Sequence, residues 1–186
     1  IYDDLSKGKE KLCISQGQLI ENVILEAEKA WKGETQVDNI LLTAPTGSGK
    51  SLLFQLPAIY LGKEYNLLTI VVSPLKALIV DQVESLQELG YTRVAYASSD
   101  LSPEQKMEVY RQVREGEIDL FYLSPELLLS YDIKHFVGER RIGLVVVDEA
   151  HTVTTWGKEF RVDYWFLGRY LNTLKQTLCY NFPLFA

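Results

Sequence analysis

Eight residues constrain this chain more than any others: Ala44-Pro45-Thr46-Gly47-Ser48-Gly49-Lys50-Ser51. They follow a short apolar run, Asn39-Ile40-Leu41-Leu42-Thr43, that reads as a buried strand, and they open a segment, Ser51 to Leu61, that reads as a helix. A glycine-rich turn between strand and helix, ending in Gly-Lys-Ser, is a phosphate-binding loop of the Walker A type. Gly47 and Gly49 let the backbone of Thr46 to Gly49 curl so that its N–H groups, that of Ser48 included, converge on phosphate oxygens. The helix N-terminus adds its dipole to the same anion site. Lys50 brings a point charge to the β- and γ-phosphates, and the Ser51 hydroxyl is a ligand for magnesium, so the cofactors expected are ATP and Mg²⁺. The strict pattern opens on Gly, where this chain has Ala44.

The rest of the chain continues the alternation that the loop demands. Apolar runs at Leu67–Ser73, Arg93–Ala97, Leu120–Leu123 and Ile142–Val147 read as strands. Helical patterns lie between or around them: Gln18–Trp31, Leu75–Leu89 closed by Gly90, Ser102 to about Glu115, and Arg161 to about Leu178. Trp31 to Asp38 is polar and reads as a loop. Near-continuous Val/Ile/Leu strands separated by helices predict a parallel sheet covered on both faces, hence a doubly wound α/β fold in a single domain.

The second catalytic candidate stands at the end of the most hydrophobic strand, where Ile142 to Val147 runs into Asp148-Glu149-Ala150-His151. In an open α/β sheet ligands gather at the carboxyl ends of strands, so these carboxylates face the nucleotide. Asp148 is expected to hold magnesium, largely through water. Glu149 is expected to polarise the attacking water as general base, and His151 to couple the γ-phosphate site to the residues C-terminal to it.

Composition adds limits. The chain has 186 residues, 47% hydrophobic and 24% charged, ordinary values for a folded domain. No apolar run approaches the roughly 18–20 residues that span a bilayer, so no membrane partner is expected. The opening Ile1-Tyr2-Asp3-Asp4 has no signal-peptide character. Cys13 and Cys179 have no metal or pairing spacing and are expected to be buried and reduced, in an intracellular protein. The net charge of −6 disguises an asymmetry. Residues 1–139 carry 13 basic and 21 acidic side chains, whereas residues 140–186 carry 6 and 4. The basic surplus falls beside the candidate chemistry, as a nucleic-acid site would require.

Further residues give the chain a family likeness. The two motifs together resemble helicase superfamily two. Val71-Val72-Ser73-Pro74-Leu75-Lys76-Ala77-Leu78, followed by Asp81-Gln82-Val83, resembles motif Ia in its RecQ version, and Tyr122-Leu123-Ser124-Pro125-Glu126-Leu127-Leu128 resembles the RecQ motif Ib. In both, a Ser before a Pro suits a helix start whose free N–H groups meet a nucleic-acid phosphate; Ser102-Pro103-Glu104 has the same form but reads as plain capping. The stretch Thr152 to Tyr164 is similar to the aromatic-rich loop of RecQ helicases, with Trp156-Gly157, Phe160-Arg161 and an acid before Tyr164. Trp156 and Phe160 with Lys158 and Arg161 suit stacking on unpaired bases, or else the two aromatics pack in the core, a reading with more weight for Trp165 and Phe166 inside the final helix.

The chain also departs from the RecQ pattern. It has Lys158 where His is usual and Val162 where Pro is usual. Ile14-Ser15-Gln16-Gly17-Gln18 matches the family's first motif only at Gln18 and an apolar first position. Gln18 reads either as the adenine contact or as an ordinary first-turn residue. The resemblance implies a divergent RecQ-like member with a RecA-like motor domain that acts on single-stranded DNA or a strand junction, with 3′-to-5′ polarity. It also implies a second RecA-like domain in the same full-length chain, carrying the arginine finger and lying beyond residues 1–186, which stop before motif III. Two other readings stay open: an RNA helicase, and an ATP-gated DNA-binding module of a restriction or modification complex that does not separate strands.

Overall fold

The computed structural model describes residues 14–44, 47–150 and 158–186, the first eight of the last stretch as backbone only. The strands most apolar in sequence form the middle of one parallel sheet. These are β1 (Leu68–Val72), β3 (Leu120–Leu123) and β4 (Ile142–Val147), flanked by β2 (Val94–Ala97) and β5 (Leu184–Phe185) in the order β2-β3-β1-β4-β5. Every ladder is parallel. Successive residues point to opposite faces, and each face builds its own core. Ile70 and Val72, Phe121 and Leu123, and Val145 pack on one side; Val71, Leu120 and Tyr122, and Leu144 and Val146 pack on the other.

Seven described helices cover the two faces. On one side lie α1 (Gln16–Trp31), α2 (Leu52–Tyr65) and α3 (Lys76–Glu88), which bury Val23 and Ala27, Phe54 and Ala58, and Ile79 and Val83. On the other lie α4 (Pro103–Arg114), α5 (Pro125–Ser130), α6 (Ile133–Val137) and α7 (Lys158–Leu178), which bury Val113, Leu128, Phe136 and Leu171. This is the doubly wound α/β architecture expected from the pattern. No helix among the described residues is long and apolar enough to cross a membrane.

Several local expectations need correction. The segment expected as the first strand makes only a bridge, Ile40 to Phe185, with backbone bonds Ile40 N to Leu184 O of 2.8 Å and Leu42 N to Ala186 O of 2.7 Å. Its ladder partner is a two-residue strand, too short for regular pairing, and Leu41 is 77% exposed rather than buried. Ser73-Pro74 does not start α3: the cap is Leu75, with no side-chain capping bond, and the helix begins at Lys76. Ser124-Pro125 does start α5, with Leu127 N donating to Ser124 Oγ at 3.3 Å. Ser102 caps α4 through a reciprocal pair with Gln105, as its sequence suggested. Cys179 is exposed, because it sits in the turn after α7 at φ +56°; Cys13 lies outside the described residues. Phe166 is 50% exposed, since the helical period gives the core face to Leu167, Leu171 and Leu174 instead.

At the amino ends of β2, β3 and β4 the topology gathers a charged cluster that the sequence pattern does not reveal. Asp119 accepts from Arg93 Nε at 2.6 Å, Arg140 Nη2 at 2.9 Å and the Tyr91 hydroxyl at 3.1 Å. Its side chain is 2% exposed and that of Arg140 4%.

Candidate nucleotide site and its surroundings

The carboxyl ends of the strands, on the opposite edge, carry the candidate chemistry. Gly47 and Gly49 adopt φ of +78° and +77°, the left-handed region that glycine enters without steric cost, and together they bend the loop into α2. Lys50 Nζ donates to Ala44 O at 3.0 Å, so the ammonium lies across the mouth of its own loop. Ser51 occupies the cap position of α2 without a side-chain capping bond. Pro45 and Thr46 lie outside the described residues.

β4 delivers the carboxylates to the same place. Asp148 continues the strand, its N–H donating to Val72 O at 2.9 Å, while Glu149 turns away at φ +52°. A non-glycine residue at positive φ is uncommon and costs on the order of 1–3 kcal/mol, a strain found most often at functional sites. Glu149 N donates to Asp148 Oδ1 at 3.0 Å and Gln82 Nε2 to Asp148 Oδ2 at 3.4 Å. Burial, and next the charge of Glu149, push the Asp148 carboxyl above the usual range; the bonds from Glu149 N–H and Gln82, and the charge of Lys50, pull it back. Lys50, Asp148 and Glu149 line one cavity of about 500 Å³, with Thr43, Ala44 and Phe185. His151 lies outside the described residues.

These residues fit a magnesium nucleotide. The loop offers the turn at Gly47 and Gly49 and the Lys50 cation, and the strand end offers Asp148 and Glu149 on the same cavity. Among the described residues no group of three or more His, Cys, Asp or Glu gathers into a metal cage.

The Gln18 side chain is engaged at the start of its own helix. Its Oε1 accepts from Ser15 N at 2.9 Å and its N–H donates to Ser15 Oγ at 3.2 Å, a capping box that engages the side chain at the start of α1. Gln16, which the motif pattern passes over, donates from Nε2 to Ser48 O at 2.9 Å. The Ser15-x-x-Gln18 spacing is the signal that separates the two.

A second cavity, of about 520 Å³, lies where β1, β2 and β3 end, and it brings Pro74, Lys76, Ser124 and Glu126 together. Ser98 and Lys106, which no motif in the sequence marks, line it as well. Lys76 is ion-paired with Asp100, both side chains exposed. Ser73 Oγ, 1% exposed at residue level, has no hydrogen-bond partner among the described residues. Pro125 is buried at the first position of α5. Of the aromatic-rich stretch, Trp156 lies outside the described residues. Lys158, Phe160 and Arg161 fall in the first turn of α7, where the backbone alone is described.

Comparison with known proteins matches residues 21–180 to the DEAD/DEAH box helicase family model. The chain is 38% identical over 126 residues to the ATP-dependent DNA helicase RecQ of Bacillus subtilis, covering 68% of this chain and 20% of that protein. It is 42% identical over 130 residues to the RecQ of Synechocystis, covering 69% of this chain and 26% of that one. The chain thus spans about a fifth to a quarter of the length of these curated relatives. Among solved structures, the DUF1998 helicase MrfA superimposes with a TM-score of 0.66 at 22% identity, over 97% of this chain and 27% of that one, a likeness of fold.

Proposed function

This chain belongs to the DEAD/DEAH box helicase family, and from that premise we propose that it is the ATP- and DNA-binding first motor domain of a RecQ-like, 3′-to-5′ DNA helicase. The observation that carries the proposal is the convergence of Lys50, Asp148 and Glu149 on one cavity at the carboxyl edge of a parallel sheet. The backbone of Gly47 to Gly49 and the start of α2 hold the phosphates, and Lys50 shifts from Ala44 O to the β- and γ-oxygens. Ser51 and Asp148 hold magnesium, which when bound offsets phosphate charge. Glu149 accepts a proton from the attacking water, and His151 links this site to the Trp156–Tyr164 segment. A second RecA-like domain of the full-length chain supplies the arginine finger.

DNA as the partner is supported by the RecQ names of the relatives and by the Trp156–Tyr164 likeness. Single strands or junctions would cross the second cavity, past Ser73, Pro74, Lys76, Ser124 and Glu126, with Trp156, Lys158, Phe160 and Arg161 as further contacts. Strand displacement by the full-length protein tests this, using duplexes with a 3′ or a 5′ single-stranded tail and a matching RNA duplex. Unwinding of the 3′-tailed DNA, lost in Lys50→Ala, is expected. ATP-dependent unwinding of RNA in preference to DNA would reject the DNA assignment, and ATP-gated DNA binding with no displacement would reject the helicase.

A further inference from the structure

Behind the nucleotide cavity, four side chains from four places in the fold form one hydrogen-bonded line. Gln55 on α2 donates from Nε2 to the Tyr122 hydroxyl at 3.2 Å, and that hydroxyl, on β3, donates to Gln82 Oε1 at 2.9 Å. Gln82, on α3, then donates from Nε2 to Asp148 Oδ2 at 3.4 Å, just past the end of β4. Tyr122 is fully buried and Gln55 is 7% exposed.

The direction of the line is set by its members. An amide nitrogen only donates, a carboxylate only accepts, and a phenol has a single proton. Because Gln55 donates to Tyr122, the tyrosine proton goes to Gln82 Oε1, and this turns the NH₂ end of that amide to Asp148. Remove the hydroxyl, and Gln82 Oε1 loses its partner, so the amide is held at its Asp148 end alone. A phenylalanine at 122 would fill the same space but leave Gln55 Nε2 and Gln82 Oε1 without this partner, so the variant reads the hydrogen bonds rather than the packing.

We propose that Gln82, clamped by Tyr122 and Gln55, is a positioning residue that holds the Asp148 carboxylate in the orientation that binds magnesium. This rests on Asp148 being the metal-holding carboxylate of the proposed function. Polar partners that orient a metal ligand typically change metal affinity or activity by roughly 10–100-fold when removed. Gln82 also rides on α3, six residues or about 9 Å along the axis from Lys76. The start of that helix at the second cavity and the hold on Asp148 therefore belong to one rigid body.

The test uses Gln82→Met, which keeps most of the volume but neither hydrogen-bonding group, and Tyr122→Phe, which removes one oxygen. In the full-length protein, binding of a fluorescent non-hydrolysable ATP analogue is followed as magnesium is titrated, with thermal unfolding of each variant alongside. The half-saturating magnesium concentration is expected to rise roughly tenfold or more in Gln82→Met, and in the same sense but less in Tyr122→Phe. Analogue affinity at saturating magnesium should stay near wild type. A wild-type magnesium midpoint in a folded Gln82→Met overturns the proposal; if that variant does not fold, the midpoint of Tyr122→Phe decides in the same way. Wild-type protein that binds no nucleotide at any magnesium concentration would reject the proposed function, and this inference with it. Normal wild-type binding with unshifted variants rejects this inference alone.

Discussion

Asp119 shows how much a single residue's role depends on topology. Its carboxylate is buried at the amino edge of the sheet, satisfied by Arg93, Arg140 and Tyr91. Removing one partner of a buried ion pair leaves the other charge uncompensated, at about 3–5 kcal/mol. Asp119→Ala, which strands the buried Arg140 guanidinium, should therefore lower the melting temperature by about 10 °C, at roughly 2–4 °C per kcal/mol for a domain of this size. A shift under about 2 °C would show the cluster to be energetically idle. Nothing in the sequence marks these residues, because Arg93, Asp119 and Arg140 meet only once β2, β3 and β4 lie in one parallel sheet with their amino ends together. That Lys50 and Asp148 would line one cavity was legible, because each stands at a fixed offset from an apolar strand or a glycine turn. The side-chain partners of Gln16 and Gln18 were not, because two glutamines two residues apart leave the same helix turn in different directions.

At the scale of elements, β3 and β4 were readable to the residue, as short apolar runs buried on both faces must be. Helix α6 was not, since its five residues are too few to show a period. The start of α3 was misplaced because a Ser-Pro pair suits both a cap and an extended strand exit. For α7 the expectation of a helix held, but it begins at Lys158 rather than Arg161. Arg161 thus lies in the first turn of a helix that starts only ten residues beyond Asp148. If bases stack on the Trp156–Tyr164 segment, its ordering bears directly on Glu149 and His151, and DNA triggers hydrolysis. Trp156→Ala and Arg161→Ala in the full-length protein should then keep basal turnover while losing most of the stimulation by single-stranded DNA. A Trp156 packed in the core predicts otherwise: truncation would cost about 3–5 kcal/mol and lower the melting temperature by several degrees. An unstable Trp156→Ala whose folded fraction still responds to DNA would assign the segment a structural role alone.

For the whole molecule, the layered α/β arrangement was legible from alternation alone, because a parallel sheet buried on both faces leaves few other patterns. The arginine finger proposed for a second motor domain has a consequence for residues 1–186 on their own. A finger supplied by a partner contributes roughly 10³–10⁵ in rate, so the isolated chain should bind nucleotide yet show almost no DNA-stimulated hydrolysis. Stimulated turnover from residues 1–186 alone would place the whole catalytic set within them. The most direct test of the nucleotide site is Glu149→Gln in the full-length protein, with nucleotide binding and ATP turnover measured on the same preparation. Glutamine keeps the size and the backbone demand of the residue while removing the base. Binding should match wild type and turnover should fall by roughly 10²-fold or more; turnover near wild type would show that Glu149 is not the base and that the chemistry lies elsewhere.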